Sequence, residues 1–198
     1  MQELLVATHN PGKKKEIAAI LKGLKFSVLS LDDIDEDIPE ADENGSSYEE
    51  NALMKAREAA ELSGLPTIAD DSGLEVEVLP DELGVYTKRY ADGTDADRNQ
   101  KLLDALRQEE HREATFVCCI VLYDPSTKNH KTFFGEMHGK IAEEPRGEDG
   151  FGFDPIFIPD GYKKTNAQLG LKVKNKISHR AKAVKQLKEY LQAGASHA

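Results

Sequence analysis

Apolar positions along this chain recur with two periods, and the switching between them predicts a mixed α/β protein. Leu4, Leu5 and Val6 form a short continuous apolar run, which reads as a buried sheet edge or a fragment of helix, with a strand over residues 4–7. Ile17, Ile20, Leu21 and Leu24 then follow at helical spacing, so a helix is expected over residues 12–21. Asn10 suits its N-cap and Pro11 its first position, where no amide donor is needed. A second strand over 26–31 completes a βαβ-like opening. Ser47 and Glu50 have capping-box spacing ahead of a helix whose apolar face is Ala52, Leu53, Ala56, Ala59 and Ala60.

Residues 67–69 and 74–79 read as strands on either side of a turn at Asp70, Asp71, Ser72 and Gly73. A helix is expected over about 95–106, and strands over 116–123 and 131–138 form a hairpin across a turn at 124–129. The glycine-rich stretch 147–154 reads as a loop. Ser178 caps a last helix carrying Ala181, Val184, Leu187 and Leu191, and residues 194–198 form a loose tail. No repeat, low-complexity tract or linker interrupts the pattern, so residues 1–198 are expected to form a single domain.

Composition narrows the class. The 198 residues are 39% hydrophobic and 31% charged, as in a soluble globular protein. No apolar run is long enough to cross a bilayer, and no basic segment precedes a signal-length apolar stretch, so a cytoplasmic protein without membrane partners is expected. The formal charge of -10 and pI near 5.1 argue against a nucleic-acid surface. Eight carboxylates crowd residues 32–43, most simply a solvated loop. The only cysteines, Cys118 and Cys119, are neighbours in an apolar strand. They must face opposite sides of a sheet, which excludes a disulfide framework.

Positive charge is nevertheless concentrated at Lys13 to Lys15 and between Lys172 and Arg180. Lys13 lies four residues before Ile17 and so continues the inward stripe, where an ammonium requires an anion. The free amides and positive dipole end of the same turn would attract one too, although a solvated helix start fits the same residues. Asp70 and Asp71 are adjacent on a strand, so only one acid enters a given site. Magnesium usually takes one or two protein carboxylates and completes its shell with water and phosphate, and Glu40 could supply the second. A turn cap with a solvated neighbour is the alternative for this pair. Basic residues at the start of the last helix oppose its dipole, and His179 and Arg180 offer donors suited to ligand oxygens, or to surplus surface acids. Phe151 and Phe153 could stack on a base or fill a core.

Six segments, LLVATHNPGK, SYEENALMKA, IADDSGLEV, GVYTKRYA, GFGFDPIF and NKISHRAKA, occur in an order that resembles the inosine/xanthosine triphosphate pyrophosphatase family. The resemblance spans almost the whole chain. It implies an elongated α/β fold with two lobes around a central nucleotide cleft, a homodimer, and magnesium-dependent hydrolysis of ITP, dITP or XTP to the monophosphate and pyrophosphate. Its phosphate turn falls on Thr8, His9, Asn10, Pro11, Gly12 and Lys13, with Lys55 on the phosphate side. Glu40 and Asp71 match the metal-binding acids, Asp71 also the catalytic proton acceptor, and Ser72 a substrate contact. Phe151, Gly152, Phe153 and Asp154 match the base-side loop, and Lys174, His179 and Arg180 the remaining nucleotide contacts. Leu83 stands where a proline is usual, and the stretch before Lys174 is less acidic than in the family. Donor-only Arg180 facing a 6-oxo purine would leave adenine unpaired, so rejection of ATP is expected. Two rivals share parts of this pattern: a nucleotide sensor that does not hydrolyse, and a pyrophosphatase for modified pyrimidine nucleotides.

Overall fold

A computed structural model describes residues 2–35, 37–39, 41 and 43–194. Strands β1 (Gln2–Val6), β2 (Phe26–Ser30), β3 (Thr67–Val76), β4 (Glu113–Asp124), β5 (Asn129–Ile141) and β6 (Phe157–Pro159) form one six-stranded sheet in the order β2-β1-β3-β4-β5-β6. The helices are α1 (Pro11–Leu21), α2 (Tyr48–Ser63), α3 (Asp95–Ala105), α4 (Asn166–Ile177) and α5 (His179–Gly194). The class is mixed α/β, as the periodicity predicts. β1 pairs in parallel with both β2 and β3, which makes β1-α1-β2 a true βαβ unit and puts β1 inside the sheet rather than at its edge. Its burial on both faces explains its unbroken apolar run.

The described residues fall into two compact units. The first comprises those of Met1–Asp71, Cys118–Gly135 and Arg180–Ala198, and the second Ser72–Val117 and Glu136–His179. In the first, successive residues of a strand feed two separate cores. Leu4 and Val6 pack with Ile17, Leu21, Val184 and Leu187, while Leu5 and Ala7 pack with the alanine face of α2. The core of the second is built on Leu74, Leu102, Phe116, Phe153 and Phe157.

Local signals hold where capping decides them. Asn10 accepts the amides of Gly12 and Lys13, and α1 ends before Gly23, whose φ is +87°. The ammonium of Lys188 covers the Ile20 and Lys22 carbonyls at 2.8 Å each. In α2, Ser47 accepts the Glu50 amide, and the Glu50 carboxylate reaches back to Ser46.

Three expectations are corrected. Residues 67–76 make one continuous strand, with no turn at residues 70–73. Gly73 serves a close approach instead: a Cβ there would lie 2.0 Å from the Gly84 carbonyl oxygen. The Thr87 hydroxyl clamps that approach, accepting the Leu74 amide at 2.9 Å and donating to the Gly84 carbonyl at 2.6 Å. Next, α4 and β6 occupy a stretch without strong periodicity. α4 is interrupted at Gly170 (φ +73°), which breaks its pattern. Lys172, Lys174 and Lys176 therefore belong to α4, not to the first turn of the last helix. Finally, β4 and β5 run longer than their apolar runs, because strand pairing carries exposed polar ends along with it.

Cys118 and Cys119 do face opposite sides, one in each core of the first unit, and neither is exposed. Burial pushes both thiols up, Cys119 to about 12. Both should resist a disulfide reagent in the native protein and titrate as two thiols in guanidinium; rapid labelling of native protein would contradict this packing.

Candidate active site

The turn after β1 brings Thr8, His9, Asn10, Pro11, Gly12 and Lys13 to the start of α1. Its amides are not left open as the sequence suggested. Asn10 Oδ1 accepts from Gly12 and Lys13 at 2.9 and 3.0 Å, the Asn10 carbonyl accepts from Lys14, and Asn10 donates to Thr8 Oγ1. The anion that the inward position of Lys13 demanded is Asp70, 3.0 Å from its Nζ.

Asp70 and Asp71 follow the alternation of β3 and meet different partners. Asp70 sits among Lys13, at the start of α1, and Arg180, at the start of α5; Arg180 Nη2 and Nε lie 3.2 Å from its Oδ2. Arg180 Nη1 donates to Glu16 Oε2 at 2.6 Å, so one guanidinium joins α1, β3 and α5. All three residues of this chain are buried. Burial alone would raise the Asp70 carboxyl, but the charges of Lys13, Arg180 and Lys55 outweigh it and hold the group ionised, well below the usual carboxylate range. The same carboxylates push Arg180 up against its own desolvation. The Arg180 guanidinium is directed at two carboxylates within the protein, and the residue is 1% exposed.

Asp71 points toward α2. Asn51 Nδ2 donates to its Oδ2 at 3.1 Å, and the Lys55 ammonium lies 3.2 Å from its Oδ1 and 2.8 Å from Glu43 Oε1. Asn51 is itself fixed from the other end by the Gly45 amide, which donates to its Oδ1 at 2.8 Å. Here burial prevails over the charges of Lys55 and Lys13, and the Asp71 carboxyl is raised. Two adjacent acids are thereby driven apart, one locked ionised and one with increased proton affinity.

Among the described residues no three acid, histidine or cysteine side chains form a metal-holding group. Glu40, the second metal acid implied by the resemblance, lies outside the described residues. The donor set still fits a hard divalent ion. Asp71 and Glu43 are carboxylates that already share one positive charge, the Lys55 ammonium, and magnesium needs only one or two carboxylates.

The base-side residues form a separate assembly in the second unit. The buried Asp154 carboxylate accepts the Phe151 amide at 3.0 Å, Asn166 Nδ2 at 3.2 Å and Lys174 Nζ at 2.5 Å. The same ammonium lies 4.4 Å from the centre of the Phe151 ring. Phe151 and Gly152 are half-buried, whereas Phe153 belongs to the core. His179 is buried, its ring stacked on Phe116 at 4.7 Å and 7°. Ser72 is half-buried on β3.

Glu16, Asn51 and Glu43 escaped the sequence reading. Glu16 had a detectable signal, an acid three residues after Lys13 on the inward face of α1. So had Asn51, a polar residue one helical turn before Lys55. Glu43 had none, being one of eight acids in a run.

The chain matches the model of the Ham1 family over residues 4–190. It is 49% identical over 195 residues to a Geobacter sulfurreducens protein named dITP/XTP pyrophosphatase, covering 96% of this chain and 97% of that one. A Bacillus subtilis protein of the same name is 45% identical over 197 residues, with 98% of each chain covered. Among solved structures, a HAM1 protein from Coxiella burnetii superposes with a TM-score of 0.88 at 39% identity, over 98% of this chain and all of the other.

Proposed function

Because the chain belongs to the Ham1 family, we propose that it hydrolyses the non-standard purine nucleoside triphosphates ITP, dITP and XTP to the monophosphate and pyrophosphate. The observation that carries this reading is the pair Asp70 and Asp71, with Lys13 and Lys55 against them. A water oxygen attacks the α-phosphorus, the anhydride to the β-phosphorus breaks, and pyrophosphate departs. Asp71, raised by burial and aimed by Asn51, takes the water's proton. Lys13 and Lys55 are flexible point charges whose ammonium groups can turn from carboxylate to phosphate oxygens. Asp70, kept ionised by Arg180, returns Lys13 to its place after release.

Magnesium is the cofactor in this reading; Asp71, with Glu40 as the second acid that the family resemblance implies, would hold it, and it would supply neutralising charge at the phosphate oxygens. The base-side role of Phe151, Gly152, Phe153 and Asp154 is supported by the half-exposed Phe151 ring, held in place by Lys174 and Asp154. Lys174 then acts through that ring rather than on a phosphate. Arg180 acts through Asp70, so base discrimination falls to other donors. A homodimer in the cytoplasm completes the reading; among the described residues no helix is long and apolar enough to cross a membrane.

The test is a panel of ITP, dITP, XTP, GTP, ATP and dUTP with magnesium, reading pyrophosphate. Turnover of the first three should exceed that of ATP and dUTP by at least about 100-fold. Preference for dUTP would identify a pyrimidine enzyme, and binding of ITP without release a sensor.

A further inference from the structure

Residues 147–154 contain Gly147, Gly150 and Gly152, with φ of +86°, +92° and +61°. Such a backbone has wide conformational freedom, and its order must come from hydrogen bonds. Two consecutive amides supply it. The Phe151 N–H donates to Asp154 Oδ2 at 3.0 Å and so fixes the peptide plane before the ring. The Gly152 N–H donates to Asp95 Oδ2 at 2.6 Å and fixes the plane after it. With both planes held, φ and ψ of Phe151 are set, and with them the direction of its Cα–Cβ bond.

Asp95 is well placed to act as an anchor. It opens α3 directly after the Thr94 N-cap, where Thr94 and Asp97 close a reciprocal capping box. A carboxylate is favoured at that end of a helix. Its second oxygen is engaged by Arg98 Nη2 at 2.5 Å, apart from the oxygen that meets Gly152. A Cβ at Gly152 would meet no neighbour within 4 Å, so no close approach on that side locates this residue.

We propose that Asp95 is a positioning residue for base recognition, holding the Phe151 ring in place through the Gly152 amide. This rests on the reading of residues 151–154 as the base-side loop. The experiment compares Asp95→Ala, Asp95→Asn, Arg98→Ala and Phe151→Ala in the full chain, measuring kcat and KM for ITP. It also measures inhibition by inorganic triphosphate, which has no base.

Asp95→Ala should raise KM about tenfold, the worth of one charge-assisted hydrogen bond, with kcat and triphosphate inhibition within about twofold of wild type. Asp95→Asn keeps an acceptor oxygen and should recover most of the loss. Arg98→Ala removes the part-buried ion pair to the other carboxylate oxygen but not the amide contact, and should stay within about twofold of wild type. If Asp95→Ala does not fold, Asp95→Ser replaces it, since serine suits a helix start but is too short to reach Gly152. If Phe151→Ala leaves KM unchanged, the base-side reading itself fails. If Phe151→Ala raises KM and Asp95→Ala does not, the proposal is overturned. It is equally overturned if Arg98→Ala matches Asp95→Ala, or if triphosphate inhibition weakens as much as ITP binding.

Discussion

Asp71→Asn should lower pyrophosphate release from ITP by about 10³-fold, within the range expected for loss of a positioned general base. The substitution is nearly isosteric. The new amide oxygen can still accept from Asn51 Nδ2, and Lys55 retains Glu43 at 2.8 Å, so the local hydrogen-bond pattern has a way to persist. What disappears is the charge: an amide neither takes a proton from water nor attracts a cation as a carboxylate does. The loss should therefore fall mainly on kcat, and the variant should still melt cooperatively. Steady-state kinetics beside a thermal melt would separate the two effects. Undiminished turnover would remove Asp71 from the chemistry, and an unfolded variant would recast it as a structural acid.

Arg180→Ala should have the largest effect on stability, about 3–5 kcal/mol, the cost of stripping the partner from buried charges. The guanidinium is 1% exposed and holds Glu16 at 2.6 Å and Asp70 at 3.2 Å, so its removal takes a charged partner from two buried carboxylates at once. Lysine is no substitute, because a single ammonium lacks the planar fork that reaches both carboxylates. The double change Arg180→Met with Glu16→Gln should be less damaging than Arg180→Ala alone, since it also removes one of the two buried negative charges that the guanidinium had compensated.

The acid dependence follows from Asp70. Its carboxyl is depressed from an ordinary 3.8, so its contribution is complete above that value and is lost as pH falls toward the folded-state value. The stability gap between wild type and Arg180→Ala should accordingly narrow below about pH 4. Denaturant melts from pH 7 to 3 test this. A gap below about 1 kcal/mol at pH 7 would show that the buried chain of charges does not hold α1, β3 and α5 together.

The sequence by itself determined much of what near neighbours decide. Helical and strand periods placed β1, α1, α2, α3 and α5. Asn10 and Ser47 marked two helix starts, and the alternation of a strand put Cys118 and Cys119 in different cores. Six motifs in order identified the family. Glycine misled where its two uses look alike: Gly73 signals a turn by composition, yet it lies within a strand because the Gly84 carbonyl comes too close for a side chain. Only the tertiary structure decided which charges would meet. Arg180 finds Asp70 across 110 residues and Glu16 across 164. Such pairs are set by closure of the whole chain, and no local period carries them. The inward lysine at position 13 revealed that an anion was required, but the fold alone determined that Asp70 would supply it.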